Sequence, residues 1–309
     1  MTSTVSRAVK KTRAGRGAIR QTRGERIFDV FNVIFMLLMC AVFVYPLLVV
    51  VSRSVMTDAE RVARPLALIP QTFNWSAYQM ILSKNSNLLN SYWITIERTV
   101  FGTFVNLLLT SMFAYVISRK EYPPRKTLTF MLAFTMWFEG GLIPTYLLNQ
   151  SLGLVNNLLV YILPMAISPW NCLILRNFFM TLPNSLIESA KIDGASEGTI
   201  LFRIVLPLSK AALATVGLFY AVGHWNAWFD AMLYMTNNKL WTLQYILRQI
   251  VASANTSDLV AASTDASINP PTEMVRMAST VVATVPILCV YPFLQKYFVK
   301  GMLIGSIKG

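Results

Sequence analysis

The sequence predicts an all-α integral membrane fold with six transmembrane helices, and three observations carry that prediction: its apolarity, the spacing of its charge-free runs and the placement of its Lys and Arg. Of 309 residues, 55% are hydrophobic and only 13% charged, too apolar a balance for an ordinary soluble domain. Charge-free runs occur at Phe31 to Val51, Thr99 to Ser118, Leu154 to Leu175, Ala211 to Phe229 and Met277 to Leu294. Each approaches the roughly 20 residues that a helix needs to cross a bilayer. A sixth run, Thr127 to Leu148, carries Glu139 as its one charge. Spans are therefore expected at about 27–52, 91–118, 127–148, 154–176, 208–230 and 276–295. Together they make one membrane domain, 27–309, behind a basic cytoplasmic tail, 1–26.

A net charge of +13 would suit a nucleic-acid partner in a soluble protein, but in a membrane protein the position of the basic residues is what informs. With the N-terminus inside, the inner segments hold eight basic residues before Ile27, then Arg119, Lys120, Arg125 and Lys126, four from Arg176 to Lys210, and three after Leu294. That is 19 of 27, which orients the chain N-in and C-in. Arg98 lies near a membrane end, and the others fall in two longer outer segments that the rule counts weakly. No nucleic-acid partner is expected. Cys40, Cys172 and Cys289 all lie inside spans, so neither a disulfide framework nor a metal site is indicated. The first apolar run is about 20 residues long with no evident cleavage site after it, so it should remain as an anchor. The tail before it has little apolar area to bury and either trails free or lies on anionic lipid headgroups.

Between the first two spans, the outer segment Ser52 to Asn90 is punctuated by Pro65, Pro70 and Asn74 and reads as folded. Pro123 and Pro124 make a tight basic hairpin between the second and third spans. A second outer loop, Thr236 to Glu273, contains the amphipathic stretch Leu240 to Val251.

The most informative inner segment runs from Thr181 to Pro207. Pro183 suits a first helical turn, and Leu186, Ile187 and Ala190 give that helix one apolar face. Gly194 ends it, Ser196 can cap a second short helix with apolar residues from Ile200 to Leu206, and Pro207 breaks the chain before the fifth span. The result is a bent pair of short helices offering a small apolar knob, flanked by Glu188, Lys191 and Asp193, to something outside the membrane.

This loop resembles a known one. Glu188-Ser-Ala190, Gly194 six residues after the Glu, and Ile204-Val-Leu-Pro207 reproduce the Glu-Ala-Ala loop of ATP-binding-cassette importer permeases, with Ser189 in place of the first Ala. Gly140-Gly-Leu-Ile-Pro-Thr145, Gly153-Leu154 with Asn156 and Asn157, His224-Trp-Asn226 and the tail Gln295 to Gly309 resemble the maltose-type sugar permeases, in their branch for complex oligosaccharides, including uronate-containing ones. The resemblance implies a permease subunit of a bacterial importer in the inner membrane, moving an oligosaccharide or polysaccharide and working beside a second, similar permease. It also implies two ATPase subunits holding ATP and Mg2+ and an external solute-binding protein. Leu186, Ile187, Glu188, Ser189, Ala190, Asp193, Gly194 and Ala195 would then form the coupling helix, between spans four and five, that sits in a cleft of an ATPase. The C-terminal tail would reach the same subunits. No Gly-x-x-x-x-Gly-Lys-Ser/Thr phosphate loop occurs in the sequence, so energy is expected from another polypeptide and no cofactor from this one.

Candidate pathway residues are Glu139, Gly140 and Gly141, an acid with helix breakers inside a span, and Trp225, Asn226 and Trp228. The glycines serve equally for close packing, with Glu139 satisfied by freed backbone donors. Trp225 and Trp228, three apart on one helical face, either stack on sugar rings or belong to an aromatic belt. His224, the only histidine, reads as a packing residue. In the outer loop, Asn237, Gln244 and Arg248 are candidate binding-protein contacts. The competing reading is an integral membrane enzyme acting on lipid-linked sugar. It needs catalytic groups clustered at one membrane face, and the spacing offers no such constellation.

Overall fold

The computed structural model describes residues 22–83, 87–260 and 273–306, and among them every regular element is helical. The helices are α1 (Arg23–Arg53), α2 (Asp58–Ala63), α3 (Ser76–Ile81), α4 (Asn87–Ser118), α5 (Arg125–Phe134), α6 (Leu142–Ser151) and α7 (Pro169–Phe179). They continue with α8 (Asn184–Ile192), α9 (Glu197–Ile200), α10 (Leu206–Leu208), α11 (Lys210–Asn226), α12 (Phe229–Tyr234), α13 (Leu243–Val260) and α14 (Glu273–Ser306). The chain falls into two compact units that meet in sequence between Val49 and Val50.

The first unit is α1 up to Val49. Thr22 and Glu25 start this helix reciprocally: the Glu25 amide donates to the Thr22 hydroxyl (3.3 Å) and the Thr22 amide to the Glu25 carboxylate (2.7 Å). Most of its apolar side chains are exposed, Phe43 at 71% among them, which hydrocarbon tolerates and water does not.

The second unit is organised on α4, which packs against α11 and α7, while α14 packs on α11, α13 and α3. Two hydroxyls inside α4 bond their own helix: Thr95 donates to the Ser91 carbonyl (2.8 Å) and Ser111 to that of Leu107 (2.6 Å). The largest core joins Ala114 and Ile117 of α4, Leu175 and Phe179 of α7, Ile187 of α8 and Val205. In the outer segment, Glu60 accepts from the Gln71 amide (2.6 Å) and from the amide and hydroxyl of Thr72, and the Gln71 bond holds its carboxyl below the usual range.

The expected spans map unevenly onto these helices. Among the described residues, Arg23–Arg53 and Leu88–Ser118 are long and apolar enough to cross a membrane alone. Glu197–Leu208 and Lys210–Asn226 form a bent pair that meets at 87°. Residues 127–148 are α5 and α6 separated by the stretch 135–141, where Gly141 takes φ +87°. Residues 154–176 are not one helix: a 3-10 turn at Leu158–Tyr161 precedes α7. At the start of this run Asn156, at φ +58°, accepts on Oδ1 from the amides of Thr236 (2.8 Å) and Asn237 (3.1 Å), tying the chain to the far loop, and Pro164 and Pro169 interrupt helix further on. Within 208–230, α11 stops at Asn226, where Ala227 turns extended before α12. The inner bend falls at Ser209, not at Pro207, which sits inside the continuous helical stretch Glu197–Leu208. Residues 1–21 of the basic tail and 307–309 of the C-terminal tail lie outside the described residues.

Candidate translocation cavity and coupling loop

A cavity of 630 Å3 opens in the second unit, within the roughly 300–1,000 Å3 usual for small-molecule sites. Its walls come from α4, the stretch around Glu139, α6, residues 160–171, α11 and α12. Aromatic rings (Tyr161, Phe219, Tyr220, Phe229, Tyr234) alternate there with amides and acids (Asn106, Asn149, Asn171, Glu139, Asp230).

One buried network fixes this wall. Arg98 of α4 forks onto Asp230 at the start of α12, with Nη1 donating to Oδ1 at 3.1 Å and Nη2 to Oδ2. Its guanidinium lies 4.4 Å from the Tyr161 ring centroid, and its Nε donates to His224 Nδ1 (3.4 Å). The other His224 nitrogen meets the Asn106 amide at 3.1 Å. The imidazole fits because position 102 is glycine: a Cβ there would stand 2.5 Å from His224 Nε2. Lower down, the Tyr220 hydroxyl pairs with Thr110 (2.5 Å) and accepts from the Ser168 amide (2.9 Å), while Asn149 donates to the Tyr234 hydroxyl (2.8 Å).

The expected pathway residues divide. Glu139 lines the cavity, and Gly140 and Gly141 form the helix break beside it. Trp225 packs edge-on against Tyr92 (5.8 Å) and is not in the wall. Asn226 is the exposed last residue of α11. Because α11 ends there, Trp228 does not share a helical face with Trp225; it lies instead under the Arg248 guanidinium, 3.7 Å from its ring centroid. Asn237 caps a 3-10 turn by accepting from the Lys239 amide (3.1 Å), and Gln244 is half-buried on α13. Sequence reasoning passed over Arg98, Asp230, Tyr161, Asn149 and Tyr234. A signal existed: Arg98 immediately precedes one charge-free run and Asp230 immediately follows another, and opposite charges bounding apolar runs are candidates for pairing.

The candidate coupling loop is shaped by its termini. Helix α8 ends in a Schellman turn, with Ala195 N–H on the Ala190 carbonyl (2.9 Å) and Gly194 N–H on that of Lys191 (3.0 Å), and Gly194 takes φ +79°. Ser196 then caps α9 by accepting from the Thr199 amide (3.2 Å). Ile187 and Ala190 are buried in the main core, whereas Leu186, Glu188, Ser189 and Asp193 face outward, Ala195 is half-buried, and Ile192 is 86% exposed. A polar clasp holds the loop to the end of α4 and the turn after it. Lys191 Nζ reaches Glu121 (2.7 Å) and Glu197 (3.0 Å), the Tyr115 hydroxyl donates to Glu197, and Arg119 lies over the Tyr115 ring (4.5 Å). Donating to the carboxylates of Glu121 and Glu197 raises the pKa of the Lys191 ammonium above its ordinary value. The Tyr115 hydroxyl, and then Lys191, hold the Glu197 carboxyl below its own against some burial. Among the described residues, no group of three or more His, Cys, Asp or Glu is placed to hold a metal.

A helical membrane chain with a polar internal cavity and an apolar knob outside its bundle has the build of a transport permease. The model of the family described as "Binding-protein-dependent transport system inner membrane component" matches residues 98–304, and the chain belongs to that family. It is 45% identical to protein LplC of Bacillus subtilis (strain 168) over 94% of this chain and 98% of that protein. It is 43% identical to the polygalacturonan/rhamnogalacturonan transport system permease protein YtcP of the same organism, over 92% and 99%. Its structure is similar, at TM-score 0.79 and 31% identity, to a chain in the crystal structure of a bacterial ABC transporter involved in the import of the acidic polysaccharide alginate, covering 90% of this chain and 99% of that one. The chain is thus an inner-membrane permease subunit of an ABC importer and not itself an enzyme, which sets aside a membrane enzyme acting on lipid-linked sugar.

Proposed function

We propose that this chain is one of two permease subunits that carry an acidic oligosaccharide, of the uronate-containing kind, into a bacterium. The relatives named for polygalacturonan, rhamnogalacturonan and alginate support the substrate class, and the aromatic and amide lining of the cavity supports a sugar. Six crossings with both termini inside fit the basic residues, with α5–α6 and the chain from Tyr161 through α7 as broken crossings.

The observation that carries the mechanism is a loop with one face locked into the bundle core and the other bare. Ile187 and Ala190 are buried with α4 and α7, while Leu186 and Ile192 are left uncovered. In this reading Leu186 to Ala195 dock on an ATPase subunit, and two such subunits holding ATP and Mg2+ close on each other and drag the loop. Because the loop is clasped to α4 through Lys191, Glu197 and Tyr115, its motion reaches the cavity wall. An external binding protein delivers the sugar to the outer loops near Asn237, Gln244 and Arg248. The test is reconstitution of the whole complex in vesicles with its binding protein and an oligogalacturonate. Glu188→Lys or Gly194→Leu is expected to keep ATP hydrolysis while uptake falls at least tenfold; unaltered uptake rejects the docking role.

A further inference from the structure

Arg98 is the only Lys or Arg among the described residues lining the cavity, and its one carboxylate partner, Asp230, lines the same cavity. We propose that Arg98 is the residue that receives a uronate carboxylate during passage, with Asp230 as its displaceable counter-ion. The inference rests on the reading that the substrate is acidic.

The two partners are held differently. The Arg98 side chain is 4% exposed and pinned on two further sides, by the Tyr161 ring and by His224. The Asp230 side chain is 25% exposed and has a second donor of its own, the Ala231 amide at 2.9 Å. When a carboxylate enters, the group free to give way is therefore Asp230. It turns toward the cavity and its backbone donor, while the guanidinium stays fixed and presents the same fork to the newcomer.

A uronate carboxylate is chemically the same acceptor as an aspartate, so the exchange keeps the buried guanidinium paired before and after. The displaced Asp230 keeps only the Ala231 amide as a donor, and its lost pairing offsets part of what the newcomer gains, so the acid is held without being trapped. That suits a site on a path, where binding must favour entry without trapping the cargo. A neutral sugar brings no group able to displace Asp230 and meets the polar side chains of the wall, Asn149, Asn171 and Tyr234 among them. Discrimination then comes from the difference between the two ligands at one residue.

The alternative use of the pair is a permanent strut between α4 and α12, and the two uses separate experimentally. The complex of both permeases and both ATPases, purified without binding protein, is titrated calorimetrically with trigalacturonate and with its fully methylated ester, which keeps the ring hydroxyls and lacks the charges. Asp230→Asn is expected to tighten trigalacturonate binding at least tenfold and to leave the ester within twofold. Arg98→Lys keeps the charge but loses the fork. It is expected to weaken the acid about tenfold, again with the ester within twofold, and it decides the matter if the Asp230 variant does not assemble. An acid-to-ester ratio that stays within twofold of wild type overturns the proposal. Uptake by the wild-type complex with its binding protein separates the two claims. If the wild type imports the acid while the ratios stay fixed, Arg98 has no such role and the uronate reading stands; if it imports no uronate, both fall.

Discussion

Arg98 with Asp230 and Lys191 with Glu121 and Glu197 are both ionic ties at hydrogen-bonding distance, and each joins a distant segment to α4 or the turn after it. Their surroundings differ. The Arg98 side chain is 4% exposed, whereas Lys191, Glu197 and Glu121 stand at 36%, 58% and 69%. Coulomb attraction between unit charges weakens as the local dielectric rises, and so does the penalty for leaving one of them alone. The same kind of contact thus demands a carboxylate partner at the cavity wall and can be given up at little cost in the exposed clasp.

The largest expected effect follows from breaking the buried tie on one side. Asp230→Leu strands the buried Arg98 guanidinium, at a cost of about 3–5 kcal/mol. It should appear as loss of assembled complex or a steep drop in the melting temperature of the purified complex. Removing both charges with Arg98→Met and Asp230→Leu should recover much of that loss, because no lone charge remains. If the single change costs no more than Lys191→Met, the two ties are equivalent and the comparison is broken.

Two glycines sharpen the contrast at a smaller scale. At Gly102 the obstacle is space: a Cβ meets His224 Nε2 at 2.5 Å and Cε1 at 2.7 Å, so Gly102→Ala displaces the ring from Arg98 and Asn106, at about 1–3 kcal/mol. At Gly194 nothing lies within 4 Å of a Cβ, and the cost of Gly194→Ala is the left-handed backbone alone, roughly 1–2 kcal/mol. Asparagine tells them apart, since it tolerates the left-handed region. Gly194→Asn should melt closer to wild type than Gly194→Ala, and Gly102→Asn should be worse than Gly102→Ala.

The pair of glycines also marks what a sequence discloses. The end of α8 at Gly194 and the cap at Ser196 are legible because a turn and a cap are decided by a few neighbouring residues. The helix break at Gly140 and Gly141 is legible for the same reason. The reason for Gly102 is not, because its neighbour His224 lies 122 positions away. The Arg98–Asp230 fork bridges 132 residues, and the Asn156 bonds that tie 154–157 to the far loop bridge 80 and 81. Hydropathy treats Leu154 to Leu175 as one run because it weighs residues singly, and only the assembled fold reveals which polar groups have partners across the bundle.

The smallest expected effect belongs to the exposed clasp, and its pH dependence has a definite sign. Lys191→Met should cost less than about 1 kcal/mol, less still in high salt, because all three partners are substantially in water. The carboxyl of Glu197 is held below its ordinary value by Tyr115 and then by Lys191, so its contribution is present above that ordinary value and is lost as pH falls through the lower folded one. The Lys191 ammonium is raised by Glu121 and Glu197, so its contribution is complete below its ordinary value and is lost only as pH rises through the higher folded one. With ordinary values of about 4.3 for Glu and about 10.4 for Lys, the difference in melting temperature between wild type and Lys191→Met should stay level from about pH 5.5 to 9 and shrink below about pH 4. A difference that climbs or falls through neutrality would mean that some other group, and not this clasp, holds the loop to α4.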